Sequence, residues 1–291
     1  MNFLINKNSL QKTLLNLSKI VPLRTTMPIL SCAKFKLVER DLIITTTNLE
    51  TTMFSKLEVD NATENIEFVI PILKSLEIIS AINDRYIEFE IIENRKIKIL
   101  TKTGEYNLMG MEKEEFPTNQ NDEEKTSLQI KTQELKKIIK HTKHSIGKDD
   151  LKPALQGLFF KKEEDKIICV STDGHRLVKI EKKEENNEMK TEKIIPEKFL
   201  DVLYNLLEKE ESAKLEISEN HIKIQIENNV LISRTIKEKY PDYNQVIPKE
   251  NNKKVKIDKK TIIEAIKRIS ILSNKISKQI NLKIKENEIE I

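Results

Sequence analysis

The segment "NFLINKNSLQKTLLNLSKIV", residues 2–21, decides the fold because its pattern occurs three times in the chain. Alternating apolar residues predict a short strand, and the apolar residues that follow at spacings of three and four predict a helix. The same order is found in "SLQIKTQELKKIIKHTKHSI" at 127–146 and in "KKVKIDKKTIIEAIKRISIL" at 253–272. Equivalent strand positions, 125 and then 127 residues apart, are Phe3, Leu128 and Val255.

Later anchors in the chain give the same period. Each helix is followed by a hairpin-like pair of alternating segments, for example "CAKFKLVERDLIITTTN" and "LFFKKEEDKIICVSTDG". Pro71 and Pro196 each stand between a strand pattern and a second helix pattern, and "EEFP" near 117 matches "EKYP" near 241. A repeat of this length made of strands and two helices predicts an α+β fold with antiparallel sheets. We expect two complete domains, 1–122 and 123–250, and a partial third, 251–291.

The composition predicts a folded protein of the cytoplasm. Charged residues make up 34% of the chain and hydrophobic residues 38%, and the net charge is only +4. We find no apolar stretch of the roughly 18 residues that span a bilayer, and no basic segment leading into an apolar one at the start. The two cysteines, Cys32 and Cys169, each lie in an apolar alternating segment, which predicts two buried thiols without a disulfide.

The motif "STDGHRL" at 171–177 allows two interpretations, an active site or a turn with a binding role. In an enzyme, His175 would be a general base, Asp173 would orient it, and Ser171 or Thr172 would supply a nucleophile. Such a triad needs partners from several elements, and the sequence identifies none. His141 and His144 lack an evident third metal ligand. We therefore expect no catalytic activity, no bound metal ion and no cofactor.

These residues carry a resemblance to a known family. The tandem units, "LRTTMPIL" at 23–30, "VSTDGHRLVKIE" at 170–181 and "YPDYNQVIP" at 240–248 resemble the bacterial DNA polymerase III beta subunits, the beta sliding clamps. The resemblance covers the whole chain, and the combination of "TDGHRL" with "YPDY" is its most specific part. It implies tandem DNA-clamp domains, a processivity role in DNA replication without catalysis, and binding to duplex DNA of any sequence.

The family implies a DNA-lined hole, and outward basic residues on the first helix of each unit fit this requirement. A solvated lysine face is the alternative interpretation for any single residue. The expected DNA-binding residues are Lys12, Lys19, Arg24, Lys136, Lys140, Lys143, Lys148 and Lys267.

The family also implies an apolar pocket that captures short linear peptides of the replicative polymerase and the clamp loader. The matching positions are Leu155, Thr172, Gly174, His175, Arg176, Leu177, Pro241 and Val246. Gln245 stands where the family usually has an arginine, so one polar peptide contact differs. In the alternative interpretation, Gly174 only permits a tight turn and His175 caps it.

The family forms a head-to-tail homodimeric ring, whereas this sequence ends inside its third unit. A second interpretation is therefore a truncated clamp remnant that keeps the peptide pocket but does not close a ring. On that interpretation the chain alone would be a monomer or a weak, irregular oligomer.

Overall fold

The computed structural model describes residues 1–62, 64–92, 95–117, 125–183, 190–207, 212–275, 277–285 and 287–291. Within these ranges the helices are α1 (Lys7–Leu17), α2 (Ile72–Ala81), α3 (Thr132–Thr142), α4 (Glu197–Leu206) and α5 (Lys259–Ser270). The strands are β1 (Asn2–Asn6), β2 (Cys32–Val38), β3 (Asp41–Thr47), β4 (Thr51–Glu58), β5 (Ile66–Pro71), β6 (Tyr86–Ile91), β7 (Lys96–Leu100), β8 (Glu105–Met109), β9 (Thr126–Lys131), β10 (Gly157–Lys162), β11 (Lys166–Thr172), β12 (Leu177–Lys183), β13 (Thr191–Pro196), β14 (Ser212–Ile217), β15 (His221–Ile226), β16 (Asn229–Arg234), β17 (Lys283–Ile284) and β18 (Ile289–Glu290).

The chain divides into two compact units, Met1–Pro241 and Asp242–Ile291. The first unit contains two copies of the predicted repeat, and the predicted boundary between them, at residue 122, lies outside the described residues. No helix in the described part of the chain has both the length and the apolar character needed to cross a membrane.

Strand order confirms the repeat in the first unit. In the first repeat, four strands are hydrogen-bonded in the order β5-β2-β3-β4, and the matching strands of the second repeat have the order β13-β10-β11-β12. The other four strands have the order β1-β6-β7-β8 in the first repeat and β9-β14-β15-β16 in the second. Every strand of the second repeat is thus the equivalent of the strand eight places earlier, and all pairs are antiparallel, as the alternating segments predict.

The two repeats share one eight-stranded sheet, because β4 pairs with β16. Thr51 lies opposite Ser233, and their buried hydroxyl oxygens are 3.0 Å apart. At the other end of the junction, Ser55 donates its hydroxyl proton to Asn229 Oδ1 at 2.6 Å. Strand pairing and buried hydroxyl contacts therefore fuse the repeats.

Each helix of the first unit buries one face and exposes the other. α1 begins after Asn6, whose Oδ1 accepts a hydrogen bond from the Ser9 main-chain N at 3.1 Å, as an N-cap residue does. The apolar stripe predicted for α3 is buried, with Ile139 fully inaccessible to solvent. One continuous core contains the buried faces of all four helices and both repeats. The opposite faces of α1–α4 remain available to other molecules.

The second unit contains α5 and the hairpin of β17 and β18. Asp258 caps α5, because its Oδ1 accepts from the Thr261 main-chain N at 2.8 Å. None of the described residues of this unit is buried. The helix and hairpin predicted here from the repeat are both present, but the strand predicted around Val255 is not formed, because residues 251–258 have no regular secondary structure.

Candidate functional site

The motif "STDGHRL" forms the turn between β11 and β12. Thr172 and Leu177 are directly paired, so residues 173–176 make up the loop. The Thr172 hydroxyl donates to the Arg176 main-chain oxygen at 2.7 Å and accepts from the Gly174 main-chain N at 3.1 Å. The Thr172 side chain therefore stabilises the loop by hydrogen bonds to its main chain.

Asp173 holds the rest of the turn. Its Oδ1 accepts from the main-chain N of both His175 and Arg176 at 3.0 Å, and its Oδ2 accepts from Arg176 Nε at 2.9 Å. Desolvation by burial raises the pKa of Asp173, but these three hydrogen bonds and the guanidinium charge together lower the pKa to about 2. The carboxylate therefore stays charged and fixes the turn throughout the physiological pH range.

Gly174 adopts a φ of 90°, a conformation that side-chain-bearing residues rarely adopt. A Cβ atom added at Gly174 would meet nothing within 4 Å. The glycine is therefore required by backbone conformation, and the space around it is open to a partner.

The arrangement does not form a nucleophilic triad. The Ser171 hydroxyl is buried, lies 2.7 Å from Ser145 Oγ and donates to the Thr142 main-chain oxygen at 2.8 Å. The His175 side chain is exposed and makes no hydrogen bond with the described residues. Ser171 thus ties β11 to the end of α3, and His175 is left free for contact with another molecule.

Leu155 lies beside this turn. It ends a 3-10 turn, Pro153–Leu155, and its main-chain oxygen accepts from the Gly147 N at 2.9 Å. A Cβ atom placed on Gly147 would be 3.1 Å from Leu155 Cβ and 3.6 Å from Asp173 Cα. Gly147, which the sequence interpretation did not include, is the spacer that lets Leu155 approach the turn. Leu155 and Leu177 are both half-buried, so each offers apolar surface.

Tyr240 positions the predicted pocket residue Pro241. The Tyr240 ring is buried and stacks on Phe159 of β10 with ring centroids 4.8 Å apart. Its hydroxyl donates to the Val170 main-chain oxygen at 3.4 Å, two residues before Thr172. Exposed Pro241 is thereby held next to the strands that carry the turn.

Val246, the last predicted pocket residue, belongs to the second unit. It follows a 3-10 turn, Tyr243–Gln245, and its side chain is 68% exposed. Gln245 donates its side-chain amide to Asp242 Oδ2 at 3.0 Å. Lys267, the predicted DNA contact of this unit, is exposed in the last turn of α5.

In the first repeat, exposed cations lie on α1 and in the segment that follows it. Lys12, Lys19 and Arg24 are all exposed, and no Asp or Glu occurs in the sequence before Glu39. In the second repeat, α3 and the segment after it carry the exposed cations Lys140, Lys143 and Lys148, and no acid occurs between Glu134 and Asp149.

Two of the predicted DNA-binding lysines have partners on α4. Lys136 is half-buried, donates to the Leu207 main-chain oxygen at 2.8 Å and lies 5.3 Å from the centre of the Tyr204 ring. Lys143 Nζ lies 2.5 Å from Asp201 Oδ1. The sequence predicted neither contact, and Lys136 has a clear role in capping the carboxyl end of α4.

Lysines on the strands differ from those on the exposed helix faces. Within the described residues, many strand lysines are neutralised by carboxylates: Lys34 by Glu67, Lys56 by Asp41, Lys161 and Lys166 by Glu163, and Lys214 and Lys223 by Glu216. Arg24, Lys140 and Lys148 have no carboxylate partner in the same part of the chain. These three cations lie on α3 or in the segments that follow α1 and α3.

Both cysteines are buried free thiols, as predicted. Among the described residues, His, Cys, Asp and Glu form no group of three or more that could hold a metal ion.

Comparison with known proteins relates the whole chain to one family. Residues 1–120, 129–242 and 244–291 match, respectively, the N-terminal, central and C-terminal domains of the DNA polymerase III beta subunit. The beta sliding clamp of Haemophilus influenzae is 28% identical over 296 residues, which cover 100% of this chain and 80% of that protein. The beta sliding clamp of Bacillus subtilis is 28% identical over 94% of this chain and 75% of its own length.

Solved structures show the same relationship. The crystal structure of the DNA polymerase sliding clamp from Bacillus subtilis has a TM-score of 0.93, with 26% identity over 99% of this chain and 79% of that one. A sliding clamp from Pseudomonas aeruginosa bound to griselimycin has a TM-score of 0.92, with 25% identity over 98% of this chain and 78% of that one.

Proposed function

The chain belongs to the family of DNA polymerase III beta subunits, the beta sliding clamps, and on that premise we propose how its surfaces meet DNA and partner proteins. It is a sliding clamp subunit of the replicative polymerase and has no catalytic activity of its own. Its role is to hold the polymerase on duplex DNA, so that replication is processive.

We propose that duplex DNA lies against the exposed faces of the helices. The observation that carries this proposal is the distribution of charge: many strand lysines pair with carboxylates, whereas Arg24 after α1, Lys140 on α3 and Lys148 after α3 pair with none in the described residues. Interactions of cations with phosphates alone give binding that does not depend on sequence, and each such interaction is weak enough to be exchanged during sliding.

Charge reversal on the two kinds of surface tests this proposal. The helix-face variant carries glutamate at Lys12, Arg24, Lys140 and Lys148. The matched control carries glutamate at four exposed strand lysines, Lys36, Lys96, Lys179 and Lys214. We expect the first variant to bind duplex DNA more weakly and its salt dependence to flatten by about 0.9 for each phosphate that the protein no longer neutralises. An equal weakening in the control would contradict the assignment of the helix faces.

We propose that the turn 173–176, Leu155, Leu177 and Pro241 receive a short linear peptide of a partner protein. Half-buried leucines offer apolar contact, while the exposed His175 and the fixed turn can orient the peptide. The binding site of the polymerase and the clamp loader would then be the same small pocket, which partners use in turn.

Replacing Leu155 or Leu177 by glutamate should abolish binding of a fluorescent peptide taken from the polymerase's clamp-binding segment, because a few central residues carry most of the energy of such a site. Val38, an exposed apolar residue of β2, gives the control Val38→Glu. Fluorescence anisotropy would measure the affinity. Unchanged binding by both leucine variants would place the pocket elsewhere.

We propose that copies of the chain join head to tail into a ring. The β4–β16 junction shows how one repeat joins the next, through the end strands of their sheets. β8 is the equivalent of β16 in the first repeat, and it is an end strand in the described part of the chain, with Met109 58% exposed. A second copy pairing along β8 would extend the same pattern.

Retention on circular DNA tests ring closure. A closed ring stays on nicked circular duplex and is released when the circle is cut, and sedimentation should show a defined multiple of the single-chain mass. Met109→Lys should weaken this assembly, whereas Val38→Lys should not. A single-chain mass at micromolar concentration would contradict the proposal.

A further inference from the structure

The carboxylates of α4 face the cations of α3. Asp201 Oδ1 lies 2.5 Å from Lys143 Nζ, and Glu197 stands one turn earlier on α4. Both carboxylates line one groove with Lys140, Lys143 and Lys148. The groove therefore contains negative charge on the surface proposed to meet DNA phosphates.

The Lys143–Asp201 ion pair is built into the packing of the two helices. Asp201 Oδ1 is enclosed by protein and accepts no other hydrogen bond from the described residues. Asn205 donates its side-chain amide to the Asp201 main-chain oxygen at 2.6 Å, so the neighbouring side chain does not compete for the carboxylate. About half of each charged side chain still reaches solvent, with 45% of Lys143 and 43% of Asp201 exposed. An incoming anion can therefore reach Lys143 without unfolding either helix.

The first repeat has apolar residues at the positions that match these two carboxylates. At the repeat offset of 125 residues, Asp201 corresponds to Leu76 and Glu197 to Ile72. α1 itself contains no acid. The second repeat thus has two acids on this surface at positions where the first repeat has apolar residues.

We propose that Asp201 competes with DNA phosphate for Lys143 and so keeps this interaction of the second repeat weak. The inference rests on the proposed binding of DNA along the helix faces. A phosphate that binds Lys143 must displace a carboxylate already in place, so the interaction contributes little affinity and is quickly exchanged. Asp201 is then a residue that sets how firmly the clamp holds DNA.

The test is Asp201→Asn, which removes the charge and keeps the shape of the side chain. We expect roughly three- to tenfold tighter binding to duplex DNA at moderate salt, and a salt slope steeper by about 0.9, the value for one more neutralised phosphate. In the double variant Lys143→Ala with Asp201→Asn, the tighter binding should disappear, because the released cation is its source.

Glu163→Gln is the matched control. It makes the same change of net charge and also releases two lysines, Lys161 and Lys166, but on the strand side. It should leave the salt slope unchanged. Equally tight binding by Glu163→Gln, or tighter binding that survives removal of Lys143, would overturn the role of Asp201. Failure of the helix-face charge-reversal variant to weaken binding would instead overturn the DNA surface itself, so the two failures are distinguishable.

Discussion

Asp173→Ala should destabilise the peptide-binding turn at neutral pH. The substitution removes the acceptor of two main-chain N–H groups and of Arg176 Nε. A fall in pKa from the usual 3.8 to about 2 corresponds to an upper limit of about 2.5 kcal/mol, at about 1.4 kcal/mol per pKa unit. Because the Arg176 side chain is 63% exposed, solvent screening reduces this value, and we expect about 1 kcal/mol. Removal of a capping side chain elsewhere in proteins has a similar cost, about 1 kcal/mol.

The pH dependence has a definite sign. The folded protein lowers the pKa of Asp173, so the carboxylate stabilises the fold fully above the unfolded value of 3.8, and this contribution is lost as the pH falls toward 2. The difference in free energy of unfolding between the wild type and Asp173→Ala should therefore be constant from pH 7 to pH 5. It should shrink below pH 4.

Urea unfolding at several pH values and hydrogen exchange of residues 172–177 would measure these effects. Asp173→Asn should be intermediate, because it keeps an oxygen acceptor for the main-chain N–H groups. Asp165→Ala is the control, since Asp165 is exposed between β10 and β11 and makes no hydrogen bond with the described residues. Equal stability of Asp173→Ala and the wild type at pH 7, or a difference that grows on acidification, would refute the reasoning.

Three further predictions concern the interior. Burial raises the pKa of the Cys32 thiol to about 11 and that of Cys169 to about 12, so neither should react with a water-soluble thiol reagent at pH 7.5, whereas both should react in urea. Gly157→Ala would place a Cβ atom 2.6 Å from a main-chain oxygen of β13 and should lower the free energy of unfolding by about 2 kcal/mol, while Gly104→Ala, with no neighbouring atom under 4.0 Å, should be neutral. Tyr240→Ala removes a buried ring stacked on β10 and should cost about 3 kcal/mol in urea unfolding; a cost under about 1 kcal/mol would contradict its anchoring role.

Repetition made much of the fold predictable. The offset near 125 residues fixed the order of strands and helices, because each repeat must bury the same faces. It also contained a signal for Tyr240. The aromatic–proline pair at 240–241 matches the pair at 116–117. Phe116 is buried in a second core cluster, and Tyr240 is buried against Phe159.

Pairing between distant segments was not predictable from local pattern. Nothing in β4 or β16 specifies the other strand as its neighbour across 182 residues. The same limit applies to side chains. The sequence shows that Lys136 and Lys143 are charged and lie on or next to α3, but their partners, Leu207 and Asp201, are more than fifty residues away, and only tertiary packing brings them together.

The β4–β16 junction also determines how this protein can be divided. A cut between the repeats would leave β4 and β16 as two open sheet edges, and the hydroxyls of Thr51 and Ser233 would no longer have each other as partners. Open edges of this kind recruit other strands, so each half expressed alone should aggregate. Fusion proteins, deletions and domain exchanges in this chain must therefore keep both repeats together and place their joints at surface turns. The smallest part of Met1–Pro241 that can be transferred intact is therefore the pair of repeats.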